Sequence, residues 1–456
     1  NADFTEWTIK LREGVTFHNG QPLTSADVAQ ILEAHTKSLL TASTVNFIAK
    51  EPGPDGQAGT DDDEAAITTP DDLTVVVKMK APWATFPTVL TGQAGVVPYP
   101  SGCDGTVPEG SSKPVGTGPF VQKSWEPDTS WVGTKFDDYW QEGLPYLDQI
   151  EFRPVVDTES RGSALLSGDI QMFHTTEPEQ IQEFRALAEE GEVQLVEDTG
   201  EGEETFVLLN TAEPPFDNEN ARLALAYATD KDTYIATIAP GTVPANGPFA
   251  PDSRWYDPAV EDEYPQFDIE KAKDAVAAYE AETGGPLVVK LSNTTSPASR
   301  EQSEILSEMW TAAGIEVETD FKEQSTHINA AIGGTYQANA WRQFGEPDPD
   351  NGYHWWAGDS GLNFSNNDDP VINEALLAGR ATDDPDVRAE QYSIIQRQFA
   401  KDLPYIWIYH TRWAIVAAND VRGITNGPLP DGSPSLPLGS GYSGTHRVVY
   451  LWLANS

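Results

Sequence analysis

The sequence predicts an α/β fold with more than one domain. From Thr205 onward, short apolar segments alternate with segments of helical periodicity. Strands separated by roughly ten to fifteen helical residues are typical of a parallel α/β sheet. The chain has 456 residues, and single cores stop growing at roughly 250 to 300, so we expect about three domains. Its hydrophobic content of 39% and aromatic content of 10% are those of a folded chain.

The charge of the chain limits its partners. It has 72 acidic and 28 basic residues, a formal net charge of -44, and this field repels nucleic acid and anionic membrane surfaces. We therefore expect no nucleic-acid partner, and a solvated acidic surface explains the charge better than cation binding. Cys103 is the only cysteine, so the chain has no internal disulfide. No run of about eighteen apolar residues predicts a transmembrane helix.

The first segment predicts a strand, a turn, a second short strand and a helix. Residues 7–12 alternate between apolar and polar side chains, a turn follows at Glu13-Gly14, and residues 15–17 form the second strand. Thr24 and Asp27 then form a capping box. The apolar face of the predicted helix consists of Val28, Ile31, Leu32 and Leu39.

Residues 51–64, EPGPDGQAGTDDDE, form an acidic segment without a hydrophobic period. Carboxylates at 55, 61, 62 and 63 are potential calcium ligands, but their spacing does not fit an EF-hand loop. We therefore predict a mobile, exposed loop without packed side chains, in preference to a calcium site. A strand is predicted next, from Leu73 to Met79.

Capping residues mark the helices of the second half. Helix starts are predicted at Asp217-Asn218, Asp230 and Asp268, whose side chains accept hydrogen bonds from exposed helical N–H groups. Asp369-Pro370 and Asp384-Pro385 place proline at the first helical position of two further helices. The predicted strands are residues 206–209, 287–291, 315–319 and 337–341.

The stretch from Tyr336 to Trp356 holds six aromatic rings in 21 residues. The strand that begins at Gln337 must end in a loop, because Pro347 and Pro349 lack an amide donor. For any single ring, core packing is the better interpretation. For the whole cluster we favour a ligand site, since flat apolar faces on a loop suit a bound ligand.

Several motifs resemble those of one family. Trp7 to Val28, WTIKLREGVTFHNGQPLTSADV, resembles the signature of the peptide, oligopeptide and nickel solute-binding proteins of ABC importers, extracellular solute-binding family 5. The resemblance continues along essentially the whole chain. Its further motifs are residues 114–120 (PVGTGPF), 137–140 (DDYW), 144–148 (LPYLD), 164–170 (ALLSGDI), 209–211 (LNT), 221–230 (ARLALAYATD) and 403–410 (LPYIWIYH).

This resemblance implies a two-lobed periplasmic-binding-protein type II fold with an extra subdomain in lobe I. The expected division is an extra subdomain at 1–110, lobe I at 111–204, lobe II at 205–415, and a return to lobe I at 416–456. In the family, the first strand of lobe I and a lipoprotein signal precede the point where this sequence starts. The resemblance therefore implies that the N-terminal part of lobe I, with any lipid anchor, is missing here.

The resemblance also implies a function without catalysis. The expected protein captures a peptide or peptide-like solute between its lobes and passes it to ABC permease subunits. We expect it to be a monomer without cofactor or metal, at the extracellular face of the cell membrane or in the periplasm. The predicted ligand-binding residues are Trp341, Arg342, Gln343, Phe344, Gly345, Tyr353, Trp355 and Trp356. Phe344 takes the place of the aspartate that pairs with the ligand's α-ammonium in peptide-binding members.

Other functions stay open. An oligosaccharide or a metal chelate could be the solute in the same transporter class. A secreted hydrolase using scattered acids, or a sensor domain, is the alternative from another class. Gly358-Asp359-Ser360-Gly361 resembles a serine nucleophile motif, but no partner spacing supports a catalytic triad. Turnover, as opposed to stoichiometric binding, discriminates between the two classes.

Overall fold

A computed structural model describes residues 1–38, 41–60, 62–99, 113–197, 203–343, 348–424 and 448–454. These residues confirm the α/β fold. The strands are β1 (Glu6–Lys10), β2 (Lys50–Glu51), β3 (Glu64–Ala65), β4 (Ile67–Asp71), β5 (Thr74–Lys78), β6 (Phe120–Glu126), β7 (Ser130–Lys135), β8 (Gln149–Phe152), β9 (Met172–Thr175), β10 (Gln194–Glu197), β11 (Glu203–Leu209), β12 (Val243–Pro244), β13 (Val288–Thr294), β14 (Glu316–Lys322), β15 (Ala338–Gln343), β16 (Tyr405–Thr411), β17 (Ala414–Ala417), β18 (Val421–Arg422) and β19 (Trp452–Leu453).

The helices follow the predicted order along the chain. They are α1 (Ser25–Lys37), α2 (Phe86–Val89), α3 (Thr158–Leu166), α4 (Pro178–Glu189), α5 (Glu219–Ala228), α6 (Lys231–Ile238), α7 (Val260–Glu263), α8 (Ile269–Thr283), α9 (Pro297–Ala312), α10 (Gln324–Ile332), α11 (Tyr353–Trp356), α12 (Pro370–Arg380) and α13 (Pro385–Asp402). The side chains of Asp230, Asp268, Asp369 and Asp384 each accept from backbone N–H groups in the first turn of α6, α8, α12 and α13. The predicted caps are confirmed.

The N-terminal residues form a small antiparallel sheet, in the order β1-β5-β4, with α1 packed on it. The capping box is confirmed, because Asp27 Oδ2 accepts from the backbone N–H of Thr24 at 2.8 Å. On the predicted apolar face, Val28, Ile31 and Leu32 are buried, whereas Leu39 lies outside the described residues. The predicted strand at 15–17 is wrong, since it is reduced to an isolated bridge from Thr16.

The acidic segment is more ordered than its composition predicts. Strands β2 and β3 pair across its ends, and Asp63 is only 4% exposed. The Asp63 carboxylate accepts from the backbone N–H groups of Gly59 at 2.6 Å, Gly53 at 3.2 Å and Thr60 at 3.3 Å. The prediction of a loop without packed side chains is therefore wrong at this residue. Asp61 lies outside the described residues.

We expect Asp63→Ala to lower the free energy of unfolding by about 1–3 kcal/mol, because three backbone N–H groups lose the hydrogen bonds that they donate to a charged acceptor. Asp62→Ala is the matched control, since that carboxylate is exposed and the change should cost less than about 0.5 kcal/mol. Urea unfolding of both variants measures the difference. Equal stabilities would show that the Asp63 hydrogen bonds do not hold this loop.

A six-stranded sheet in the order β12-β16-β11-β15-β13-β14 is the centre of the unit that we call lobe II, residues 203–411. Strand β13 runs parallel to β14 and β15, but β11 runs antiparallel to both β15 and β16. The prediction of a parallel sheet is thus correct only for three of the six strands. Helix and strand periodicity does not determine strand direction when the connections are long.

Lobe I here denotes residues 113–197 together with 414–424 and 448–454. It contains the sheets β6-β7-β8 and β10-β17-β9. Strand β17 lies between β10 and β9, so the chain has returned to lobe I by Ala414, two residues before the predicted boundary at 416. The chain passes from lobe I to lobe II between β10 and β11, and it returns between β16 and β17. In both connections the two strands are only a few residues apart in the sequence.

The N-terminal subdomain, residues 1–99, packs against lobe II. Their buried apolar residues form one continuous cluster, whereas those of lobe I form two separate small ones. The predicted grouping of this subdomain with lobe I therefore differs from the observed packing. Shared burial joins it to lobe II, and local sequence patterns carry no information about such a contact.

A buried ion pair lies at this junction. Arg380 Nε donates to Asp350 Oδ1 at 2.7 Å, and both side chains are at most 1% exposed. Asp350 Oδ2 also accepts from Trp83 Nε1 at 2.7 Å and from Thr85 Oγ1 at 2.6 Å. The guanidinium lies 3.8 Å from the ring centroid of Tyr353. One carboxylate thus connects the subdomain to lobe II.

Candidate functional site

The candidate site is a pocket on one face of three neighbouring strands, β16, β11 and β15. Successive side chains of a strand point to opposite faces. The register places Phe206 opposite Trp341 on one side and Trp407 on the other, and all three line the pocket. Phe206 and Trp407 meet edge to face with ring centroids 5.0 Å apart, a favourable aromatic geometry.

Side chains from the loops after β12 and β15 complete the pocket. Its lining consists of Glu204, Phe206, Leu208, Pro248, Trp341, Gln343, Trp355, Trp356, Leu362, Phe364, Tyr405 and Trp407. The space in it that the centre of a water molecule can occupy is about 20 Å³. Aromatic faces bound it on several sides, so it is a narrow slot.

Trp341 is held in place from two sides. It stacks on His327 of α10, with centroids 5.5 Å apart and the ring planes at 26°. It also meets Phe364 edge to face at 5.8 Å. His327 in turn lies 3.1 Å from the carbonyl oxygen of Ala340 through its Nε2 atom. The indole ring is therefore positioned by the protein itself.

Four of the predicted site residues line the pocket together: Trp341, Gln343, Trp355 and Trp356. Two others, Phe344 and Gly345, lie outside the described residues. Tyr353 is buried at 4% exposure and packs edge to face on Phe47, so it belongs to the core. Burial raises the pKa of its hydroxyl to about 12.

Arg342 does not line the pocket, although it lies between two residues that do. Strand alternation places it on the opposite face of the sheet. There its Nε lies 3.0 Å from Glu203 Oε1, and its Nη1 donates to Thr176 Oγ1 at 3.2 Å. Glu203 also accepts from Trp413 Nε1 at 2.6 Å. Arg342 therefore links the site strand to lobe I.

The sequence interpretation missed the floor and part of the roof of the pocket. The missed residues are Glu204, Phe206, Leu208, Pro248, Leu362, Phe364, Tyr405 and Trp407. Large apolar side chains at alternate positions of β11 and β16 are a usable signal, because such positions share a face. Only the pairing of these strands with β15 shows that this face is the one beneath Trp341.

Three nitrogen donors of the lining residues have no partner among the described residues. They are Trp355 Nε1, Trp407 Nε1 and Gln343 Nε2, and each atom is buried. An indole N–H can only donate. A buried donor without an acceptor costs about 1–3 kcal/mol, so a ligand that supplies acceptor atoms would recover this free energy.

Two buried histidines predict pH-dependent stability. Burial lowers the pKa of His410 and of His354 to about 3 in each case, below the value of about 6.5 in an unfolded chain. Between these values the unfolded state binds more protons. This contribution to stability is therefore complete above about pH 6.5 and is lost as the pH falls towards 3.

For His410→Leu we expect a weaker loss of stability on acidification. One group contributes about 1.4 kcal/mol per pH unit, so the variant should lose about 2 kcal/mol less than the wild type between pH 6.5 and 5. Urea unfolding at these two pH values provides the measurement. The carboxylates common to both proteins cancel in the comparison. An unchanged difference would mean that the pKa of His410 is the same in the folded and the unfolded protein.

A larger cavity lies in lobe I, between β8 and β9. Val421 and Val448 border it, on either side of residues 425–447, which are not described. The pocket of lobe II is the candidate site, because four of the residues predicted from the sequence line it.

The serine motif and a metal centre held by protein side chains find no geometric support in the described part of the chain. Ser360 donates its hydroxyl to the carbonyl oxygen of His354 at 2.5 Å, so this contact is structural. Over the same residues, no group of three or more His, Cys, Asp or Glu side chains is arranged to hold a metal ion. Within those ranges no helix is both long and apolar enough to cross a membrane.

Two lobes, two short connections between them and an aromatic pocket on one face of the large sheet define a ligand-binding protein of the periplasmic type II fold. The family model of bacterial extracellular solute-binding proteins, family 5 Middle, matches residues 1–364. The chain belongs to this family. The predicted resemblance is thus confirmed.

Curated relatives include the glutathione-binding protein GsiB of Pectobacterium atrosepticum, 31% identical over 249 residues, which are 54% of this chain and 45% of the relative. GsiB of Escherichia coli O157:H7 is 30% identical over 265 residues, 56% of this chain and 48% of the relative. The chain spans about half the length of these curated relatives.

Solved structures match nearly the whole chain. AgaA of A. tumefaciens R10, in complex with agropinic acid, has a TM-score of 0.82 at 25% identity and matches 99% of this chain and 88% of its own. The oligopeptide-binding protein AppA of Bacillus subtilis, in complex with a nonapeptide, has a TM-score of 0.79 at 20% identity, with the same coverage. The likeness to AppA shows the fold.

Proposed function

We propose that this protein is the substrate-binding component of an ABC importer and captures a peptide or peptide-like solute between its lobes. The observation that carries the proposal is the aromatic pocket of lobe II with its unpartnered N–H donors. A binder needs such a preorganised site. Membership of the family and the relatives that bind glutathione and oligopeptides support this class of solute.

Binding by closure of two lobes requires that the closed state makes contacts with both. The link from Arg342 of β15 to Thr176 of lobe I lies next to the pocket residue Trp341 in the chain. We infer that the ligand binds in the pocket of lobe II and is covered by lobe I when the lobes close. The loaded protein then delivers the solute to permease subunits at the outer face of the membrane, acting as a monomer.

The experiment is a thermal-shift screen with peptide, oligosaccharide and metal-chelate pools, followed by calorimetry of each hit and by mass spectrometry of the recovered ligand. We expect stoichiometric binding of a peptide-like solute, which is recovered unchanged. Catalytic turnover of a hit would overthrow the binding-protein proposal. A preference for oligosaccharides or chelates would retain the transporter class and change the solute.

The amine of the ligand offers a further prediction. Because Phe344 replaces the aspartate expected at that position, a free α-ammonium would lack this counter-charge, and burying an unpaired charge costs several kcal/mol. We therefore expect N-acetylated peptides to bind at least as tightly as matched free-amine peptides in calorimetry. Free amines that bind tenfold tighter would show that another acid, such as Glu346, replaces the missing one, since the Asp348 carboxylate is already paired with Arg388.

A further inference from the structure

Glu203 lies at the point where the chain enters lobe II. It is the first residue of β11, and its side chain is only 8% exposed. Its two carboxylate oxygens contact different segments. Oε1 lies 3.0 Å from Arg342 Nε of β15, and Oε2 accepts from Trp413 Nε1 at 2.6 Å. Trp413 lies between β16 and β17, in the connection that returns to lobe I, so one carboxylate joins β15 to both connections between the lobes.

The guanidinium of Arg342 is held in place by this carboxylate. A buried carboxylate that loses its cation is costly, so we expect the pair of Glu203 and Arg342 to persist when the lobes move. A guanidinium is planar and presents its donors in a fixed fork. With Nε at Glu203, its Nη1 donates at 3.2 Å to the hydroxyl of Thr176 in lobe I. Lobe II therefore presents a positioned donor to lobe I.

The two contacts of Arg342 differ in the parts of the molecule that they join. Glu203 and Arg342 both belong to lobe II, and their strands β11 and β15 are paired in one sheet. Thr176 belongs to lobe I and lies between β9 and α4. A rotation of the lobes about their connections therefore separates Thr176 from Arg342 and leaves the ion pair intact. Helix α4 adds another contact between the lobes, from Gln182 Nε2 to the carbonyl oxygen of Pro240 at 3.4 Å.

We propose that Arg342 is a latch between the lobes: its hydrogen bond to Thr176 stabilises the lobe orientation seen in the structure, and Glu203 positions its guanidinium. The latch is reversible, because it is a single hydrogen bond from a side chain that is 43% exposed. Its loss should change the ratio between lobe orientations by about fivefold, the usual effect of one such bond.

The consequence for solute capture rests on the proposed function. A ligand that contacts both lobes binds the orientation in which they are closed. Its apparent affinity is reduced in proportion to the fraction of the protein that has the competent orientation. Arg342 lies on the face of β15 opposite to the pocket, so the latch acts on affinity through this fraction and without contact with the solute.

The test measures the distance between the lobes in the protein without ligand, so its failure is distinct from a failure of the proposed function. Spin labels are attached after Leu166→Cys in α3 of lobe I and Leu377→Cys in α12 of lobe II, where the native side chains are 53% and 45% exposed. Cys103→Ser removes the native thiol. Double electron–electron resonance then gives the distribution of distances between the two labels.

The variants are made in this labelled parent protein. Thr176→Val removes the hydroxyl, keeps the shape of the side chain and leaves Glu203 and Arg342 paired. We expect the ratio of the parent's main distance to other distances to fall by about fivefold. Arg342→Lys keeps the charge and removes the fork, so it should change the ratio in the same direction. Thr134→Val in β7, inside lobe I, is the matched control and should leave the distribution unchanged.

An unchanged distribution in both Thr176→Val and Arg342→Lys would overturn the latch. A change in Arg342→Lys alone would overturn it too, because the effect would then belong to the ion pair and not to the contact with lobe I. Glu203→Gln should shift the distribution in the same direction as Thr176→Val, since a neutral amide does not hold the guanidinium as a carboxylate does. Thr176→Val decides the question even if Glu203→Gln fails to fold.

Discussion

Asp350→Ala is expected to lower the free energy of unfolding by about 3–5 kcal/mol, the usual cost of removing one partner from a buried ion pair. The change leaves the Arg380 guanidinium buried and without its 2.7 Å partner. It also removes the acceptor of the Trp83 and Thr85 side chains. Each loss acts at the contact between the N-terminal subdomain and lobe II.

The melting temperature should fall by roughly 10 °C, given the 2–4 °C per kcal/mol of large domains. Because Asp350 connects two parts of the molecule, limited proteolysis within residues 1–99 should become faster than in the wild type. Scanning calorimetry and proteolysis measure the two effects.

The control for this prediction is Glu270→Gln, which removes the exposed 2.8 Å pair with Lys273. Exposed pairs contribute roughly 0–1 kcal/mol, so this change should have a small effect. The double variant Asp350→Leu with Arg380→Met should recover part of the stability, since an apolar pair leaves no unpaired charge. If Asp350→Ala lowered the free energy of unfolding by less than about 1 kcal/mol, this result would contradict the structural role of the pair.

Trp341→Ala is expected to abolish most of the ligand-induced stabilisation. A ligand that binds only the native state, at one hundred times its dissociation constant, adds about 2.7 kcal/mol. This should raise the melting temperature of the wild type by very roughly 5–10 °C. Truncation of a central aromatic contact commonly costs 2 kcal/mol or more of binding, and the variant should show little of this rise.

The unliganded variant should remain folded, because Trp341 is half-buried at the pocket and not in the core below it. Trp125→Ala in lobe I, where the ring is 47% exposed, is the control and should keep the full response. The measurement is a thermal-shift titration with the best ligand of the screen. An unchanged response in Trp341→Ala would remove this residue from the site.

The helix boundaries could be predicted because their causes are local. A capping carboxylate acts within its own turn, so Asp230, Asp268, Asp369 and Asp384 mark helix starts without knowledge of the fold. The strand from Ala338 to Gln343 was predicted within two residues of its ends for the same reason.

Half of the predicted site residues line the pocket because the aromatic stretch is continuous in sequence. Arg342 does not line the pocket, because strand alternation places it on the opposite face of the sheet. Tyr353 does not line it either, because its ring packs in the core. The neighbouring strands decide which face of β15 lines the pocket and which face contacts lobe I. The sequence pattern of β15 alone would be the same with the two faces exchanged.

The sequence by itself determined the family, the α/β class and the starts of the capped helices, because these follow from motifs, periodicity and caps that act over a few residues. Only the tertiary structure decided that β11 runs antiparallel to β15, that Asp350 joins the N-terminal subdomain to lobe II, and that Phe206 and Trp407 lie beneath Trp341. Each of these contacts joins residues more than sixty positions apart. These contacts are stabilised by apolar surface that distant segments bury against each other. The local sequence of one segment does not show which other segment it will contact.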